Sequence, residues 1–272
     1  MSQLIYRASV SEADHFSLPS CRDGLQFSTS AFLGAWRAIA VVVFSLCALV
    51  QNVITISFVR RARRLHARGV WLHHWSRFAC RVLGIRVTMR GSKPSSGLLV
   101  SNHLSYIDIV VLSSIQPCVF VAKRDVATWP LFGWLARAAG TIFVDRERRF
   151  STRKAVDVVR EAMGTGSVVV LFPEGTSSDG SMVLPFKSAL LQSAVQLGSP
   201  ITAASIDYDI DDGSVSDEVC YWRDMTLVPH LLNLFLKREI RASYSFSLAK
   251  VRAGNRKEIA RELRDEIVSI RS

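Results

Sequence analysis

Beyond its first eighty residues the chain alternates between two hydrophobic rhythms. Short apolar runs rich in Val, Ile and Leu mark strands buried on both faces. They fall at 85–89, 98–101, 118–122, 141–144, 168–172, 201–206 and 240–247. Between and after them, helical spacing appears at 106–115, 131–139, 152–163, 187–197, 227–237 and 256–270. The last of these has Asn255 as a cap, Glu258 three residues later, and Ile259, Leu263 and Ile267 on one face. Alternation of this kind predicts an α/β fold, a mixed, largely parallel sheet flanked by helices, spanning 84–272. Segment 207–218 is acidic and contains glycine, and reads as a surface loop.

The first eighty residues follow neither rhythm. Residues 1–30 are polar and mixed, and read as a loosely ordered tail. The stretch 38–59 carries no charge and is interrupted by Gln51 and Asn52. As a helix it is long enough to cross ~30 Å of hydrocarbon. Arg37 before it and the Gln-Asn pair within it leave a half-buried or hairpin arrangement open, and a core helix of a soluble protein is a further alternative. A cleaved signal peptide is not expected, because the stretch begins late and lacks a small-residue cleavage site. Residues 60–83 read as a second helix with Trp71, Trp75 and Phe78 on one side, suited to a membrane interface or to docking on a core. The expected organisation is therefore a tail at 1–30, a membrane-associated helical region at 31–83 and an α/β domain at 84–272.

Charge sharpens this picture through its location. The chain of 272 residues has net charge +11 and mean hydropathy +0.22. From Gly24 through Ile107 there is no Asp or Glu, yet Arg37, Arg60, Arg61, Arg63, Arg64, Arg68, Arg77, Arg81, Arg86, Arg90 and Lys93 are all there. The remaining basic residues match the 23 acidic ones in number. A basic block of this kind favours an anionic partner such as lipid head groups or a polyphosphate. No zinc-finger spacing or RNP-like motif accompanies it, so nucleic acid is not expected. The cluster Arg60-Arg61-Ala62-Arg63-Arg64 places the chain after it on the cytoplasmic side of a membrane. Cys21, Cys47, Cys80, Cys118 and Cys220 form neither a disulfide framework nor a metal spacing, which fits a reducing compartment.

Candidate chemistry sits where two apolar runs end. After 98–101 comes Asn102-His103-Leu104-Ser105-Tyr106-Ile107-Asp108, and after 168–172 comes Pro173-Glu174-Gly175-Thr176. Strand ends of a parallel sheet share one edge, so the two can converge. Histidine titrates near neutral pH and suits a general base, and a carboxylate on its other ring nitrogen sets the tautomer. Five helical residues rotate by ~500°, which separates His103 from Asp108 if both lie in one helix. They can pair if His103 is in the loop and Asp108 in the first turn, as the capping pattern Ser105-x-x-Asp108 suggests. Capping alone is the alternative role for Asp108.

The order Asn102-His103-x4-Asp108, then Phe172-Pro173-Glu174-Gly175-Thr176, resembles the lysophospholipid (1-acylglycerol-3-phosphate) acyltransferase family. Gly140-Thr141-Ile142-Phe143-Val144-Asp145-Arg146 and Leu184-Pro185-Phe186-Lys187 are similar to two further family blocks. The resemblance covers about 85–205. It implies a catalytic dyad of His103 and Asp108, and substrate binding by Asn102, Arg146, Glu174, Gly175, Thr176 and Lys187. A guanidinium suits phosphate, so Arg146 would hold a phosphate-bearing acceptor, with amides of Gly175 and Thr176 beside it. Glu174, acceptor-only when ionised, would hold an acceptor hydroxyl or orient Arg146. Implied, too, are acyl-CoA or acyl carrier protein as co-substrate and donor, no bound cofactor or metal, and membrane lipids as partners. The leading acceptor is 1-acylglycerol-3-phosphate, giving phosphatidic acid, and lyso-ornithine lipid is the alternative. A non-catalytic membrane lipid-binding protein is the reading from a different class. The expected location is a bacterial inner membrane, cytoplasmic face. The chain departs from the family pattern at Phe186-Lys187-Ser188-Ala189, where Phe-Lys-x-Gly is common, and at 200–204, which lacks a second proline. A late segment, Tyr221-Trp222-x-Asp224-Met225-Thr226-Leu227-x-Pro229-His230, resembles that of bacterial members, some of which acylate lyso-ornithine lipids.

Overall fold

The computed structural model describes residues 21–144 and 149–271. Every expected strand forms: β1 (Ile85–Arg90), β2 (Gly97–Ser101), β3 (Val119–Lys123), β4 (Ile142–Val144), β5 (Val168–Leu171), β6 (Pro200–Asp209) and β7 (Ile240–Phe246). A two-residue β8 (Lys250–Val251) adds to β6. The sheet order is β1-β7-β6-β2-β5-β3-β4. Pairing is parallel except where β6 meets β7 and β8, so the sheet is mixed and largely parallel.

Nine helices occur among the described residues: α1 (Cys21–Ser57), α2 (Arg64–Leu83), α3 (Ile107–Ile115), α4 (Phe132–Ala138), α5 (Arg149–Gly164), α6 (Gln192–Leu197), α7 (Val215–Glu218), α8 (Leu227–Leu236) and α9 (Arg256–Ile270). Helices cover both faces of the sheet. Leu98, Val100, Val169 and Leu171 pack toward α5, α6 and α9, while Leu99 and Val170 pack toward α2, α3 and α8. This two-sided burial is why β2 and β5 read as unbroken apolar runs. Each such side chain contributes ~1.5–3 kcal/mol, so the ends of these two central strands are firmly placed.

Three boundaries differ from expectation. β6 continues to Asp209, and Val215–Glu218 is helical, so the segment read as an acidic loop starts as a strand. The acid at its start is paired, with Arg271 Nε donating to Asp207 Oδ1 at 2.7 Å, while Tyr208 is buried. The helix expected at 187–197 is a 3₁₀ turn, Ala189–Leu191, followed by α6. Helix α1 begins at Cys21, inside the stretch read as a loose tail.

Helix α1 lies against α2, α4 and α8. Trp71 Nε1 donates to Ala48 O at 3.1 Å, Trp75 Nε1 to Gln51 Oε1 at 2.6 Å, and Phe78 packs on Phe44 at 3.9 Å between ring centroids. The aromatic residues of α2 thus dock it on α1. The polar interruptions of α1 have partners too. Asn52 Nδ2 donates to Ala138 O at the end of α4, and buried Arg37 donates to Phe235 O, Lys237 O and Arg238 O at the end of α8. Cations are favoured there because the last carbonyls of a helix lack intrahelical donors. The outer side of α1 is different: Phe32, Trp36, Ile39, Val43, Leu46, Val50 and Val53 form an exposed stripe at helical spacing.

Candidate active site

Strands β2 and β5 are parallel neighbours with Val100 opposite Leu171, so the two motifs leave one sheet edge side by side. His103 lies in the short turn after β2, and Asp108 is the second residue of α3. The two side chains meet: His103 Nδ1 is 2.7 Å from Asp108 Oδ2. The same oxygen accepts from the Leu104 N–H at 2.8 Å and the Ser105 N–H at 3.1 Å, while Oδ1 accepts from the Tyr208 hydroxyl at 2.6 Å. Asp108 is wholly buried, whereas the His103 side chain keeps 20% of its surface. With Asp108 accepting, the imidazole hydrogen sits on Nδ1 and Nε2 keeps its lone pair. Only half of the expected capping pattern forms: the Ser105 N–H donates to the oxygen that holds His103, while the Ser105 hydroxyl has no hydrogen-bond partner among the described residues.

The second motif grips the histidine from its main chain. Glu174 Oε1 accepts from the His103 N–H at 3.1 Å, and the Ser178 N–H donates to His103 O at 3.0 Å. Phe172 stacks on the imidazole, with centroids 4.2 Å apart and planes within 16°. Glu174 is 3% exposed. Burial pushes its carboxyl up to about 8, with Asp108 reinforcing this and the His103 and Leu184 amides and Arg271 opposing it. One oxygen of Glu174 thus supports the turn that carries His103, while Oε2 has no hydrogen-bond partner among the described residues.

The other expected site residues divide. Asn102 is 2% exposed, and both ends of its amide are spent on the Ile206 main chain: Nδ2 donates to Ile206 O at 3.0 Å and Oδ1 accepts from the Ile206 N–H at 2.8 Å. It extends the β2–β6 pairing by one residue. Gly175 adopts φ +77°, which favours glycine, and its N–H closes a turn on Phe172 O at 3.2 Å, so that amide is already used. Thr176 and Lys187 are exposed, and the Lys187 N–H donates to Pro173 O at 2.8 Å, folding the Pro-Phe-Lys block back against the Glu-Gly-Thr block. Arg146 lies outside the described residues.

Sequence reasoning missed Tyr208, which lies just past the expected end of β6 and donates to Asp108 from 100 positions away. The alternation Ile206-Asp207-Tyr208 was the available signal, hidden by the acidity of the stretch that follows. It also assigned no role to Tyr221, whose N–H donates to Leu104 O at 2.8 Å inside the dyad turn.

Residues 84–207 match the family model described as Acyltransferase. A lyso-ornithine lipid O-acyltransferase of Rhizobium meliloti is 38% identical over 208 residues, 70% of this chain and 71% of that protein. A 1-acyl-sn-glycerol-3-phosphate acyltransferase of Neisseria gonorrhoeae is 32% identical over 155 residues, 53% of this chain and 61% of that protein. The crystal structure of the 1-acyl-sn-glycerophosphate acyltransferase PlsC from Thermotoga maritima is similar with a TM-score of 0.66, covering 89% of this chain and 94% of that one. At 18% identity that likeness concerns the fold alone. Together with the ordered motifs at one sheet edge, these matches place the chain plainly: it belongs to the lysophospholipid (1-acylglycerol-3-phosphate) acyltransferase family.

Proposed function

We propose that the protein transfers a fatty acyl group from a thioester donor, acyl-CoA or acyl carrier protein, to the free hydroxyl of a lyso-lipid. The 2.7 Å contact between His103 Nδ1 and buried Asp108 carries this reading, because it leaves Nε2 as the basic nitrogen of a partly exposed imidazole. The acceptor hydroxyl gives its proton to Nε2 as its oxygen attacks the thioester carbonyl. Asp108 steadies the imidazolium that forms. Collapse of the tetrahedral intermediate breaks the carbon–sulfur bond, and the imidazolium returns the proton to the departing thiolate. No acyl-enzyme is required. Arg146 holds the phosphate of a phosphate-bearing acceptor in this reading, and exposed Thr176 and Lys187 lie on the loop that would flank it.

Two acceptors deserve separate arms. One is 1-acylglycerol-3-phosphate, favoured by the block ending at Arg146. The other, a lyso-ornithine lipid, is favoured by the relatives from Rhizobium meliloti and Rhodobacter capsulatus, at 38% and 36% identity, both lyso-ornithine lipid O-acyltransferases. The exposed apolar stripe of α1, continuous with the arginine cluster 60–64, suits attachment to an anionic membrane, and we place the catalytic domain on its cytoplasmic face. Release of the full chain from membranes by salt alone would overturn the attachment.

The test is purified full-length protein in detergent, labelled acyl-CoA and acyl carrier protein, and a panel of lyso-lipids. One lyso-lipid should be acylated, and His103→Ala should lose ~10²–10⁴-fold in rate. A panel without turnover would favour the lipid-binding class, and His103→Ala retaining more than about a tenth of the rate would overturn the general base.

A further inference from the structure

Segment 220–230, which joins α7 to α8 and forms the first turn of α8, has no part in the proton transfer above, yet it touches both motifs at the sheet edge. The main chain of Tyr221 bridges them: its N–H donates to Leu104 O in the dyad turn at 2.8 Å, and its carbonyl accepts from the Ser177 hydroxyl in the loop after Glu174. One residue earlier, Cys220 O accepts from His230 Nε2 at 2.9 Å. A carbonyl can only accept, so the hydrogen of the neutral ring is on Nε2, and Nδ1 must accept. Its donor is the Tyr106 hydroxyl at 3.0 Å. Tyr106 stands between His103 and Asp108 in sequence, at the start of α3.

The side chains close the same unit. Tyr106, Tyr221 and His230 pack edge to face, with all three centroid separations between 5.4 and 5.5 Å. His230 is 7% exposed, and burial holds its imidazole below the ordinary histidine range, which keeps the single-tautomer arrangement in place. At its far end α8 is tied to α1 through Arg37, so the segment is anchored on both sides.

We propose that segment 220–230 is a strap that keeps the His103 turn and the Glu174 loop in register, with His230 and Tyr106 as positioning residues for the dyad. Its physical basis is geometric. Asp108 reaches His103 across a single turn, and a displacement of ~1 Å in such a pair can cost ~10²-fold in rate. The Tyr106 hydroxyl ties the start of α3 to His230 of α8, a second anchor from outside the turn beside the one that Tyr208 of β6 makes to Asp108.

The inference rests on the acyl-transfer reading, so it is tested beside His103→Ala in the full chain in detergent. Tyr106→Phe removes one hydroxyl and keeps the ring packing. It should lower kcat about tenfold, leave the acceptor KM within about twofold, and keep the melting temperature near wild type. His230→Gln can still donate to Cys220 O and accept from Tyr106, and should retain more kcat than His230→Phe, which can do neither. Adding Tyr106→Phe to His230→Phe should bring little further loss, since the shared bond is already gone. Wild-type kcat in Tyr106→Phe beside an inactive His103→Ala would overturn the strap alone. So would a loss confined to KM, or one that follows the folded fraction. Full activity in His103→Ala would sink the strap and the His103 general base together, and no turnover in any variant would sink the acyl-transfer reading itself.

Discussion

Two buried carboxylates lie at the same sheet edge, and their surroundings could hardly differ more. Asp108 sits where α3 starts after a short turn and accepts four hydrogen bonds, from His103, Leu104, Ser105 and Tyr208. Glu174 sits at the head of a long irregular loop, and burial dominates its environment strongly enough to push its carboxyl up to about 8. The carboxylate of Asp108 is held by donors within its own turn plus one tyrosine. The loop around Glu174 is held from outside: Arg264 donates to Val183 O, Arg271 to Gly180 O, and Ser177 reaches Tyr221 O. One acid thus accepts hydrogen bonds and holds the His103 ring, while the other, its carboxyl pushed up by burial, props the main chain of the same histidine. An acidic residue in a motif does not announce which of these it is. With both acids buried, donor count decides.

The largest expected effect lies on the four-donor side. Asp108→Asn presents an amide nitrogen where only acceptors fit, so it should lower kcat by ~10²–10⁴-fold and also cost ~1–3 kcal/mol of stability. Capping alone would predict that Asn substitutes freely, since both residues cap helices well. Kinetics together with a thermal melt separate the cases: unchanged melting would break the claim that four donors converge on this group.

Glu174→Gln probes the other side. An unfolded chain gives up this proton near ~4.3, the folded chain near about 8, so folding is penalised progressively as pH rises between those values. Gln keeps an oxygen for the His103 N–H and never ionises. Its melting temperature should therefore exceed that of wild type by several degrees at pH 8, with a smaller margin at pH 5. A margin that does not grow with pH would mean that burial does not raise the Glu174 carboxyl.

The smallest effect is expected from the outside clamps. Arg264→Ala removes the donors to Val183 O and should raise the acceptor KM a few-fold while changing kcat little, because the dyad turn does not depend on them. Equal losses in kcat and kcat/KM would instead mean that the two loops move as one body.

How much of this was legible beforehand follows from the range of each interaction. The strands were readable because two-sided burial leaves continuous apolar runs, and the fold class followed from their alternation with helices. The His103–Asp108 contact was readable because the two residues are five apart, with a helix starting between them. The long-range partners were not. Tyr208 lies 100 positions from Asp108, His230 124 from Tyr106, and Arg37 198 from Phe235. The same holds for Asn102 and Glu174, whose contacts with the main chains of Ile206 and His103 cross from one strand end to another. By itself the sequence determined which residues are buried, which strands end in polar motifs, and that His103 and Asp108 could meet. Tertiary structure alone decided which buried polar group has partners and which lacks them. Periodicity records only whether a side chain faces water, while hydrogen bonds are made by whatever the strand order brings alongside.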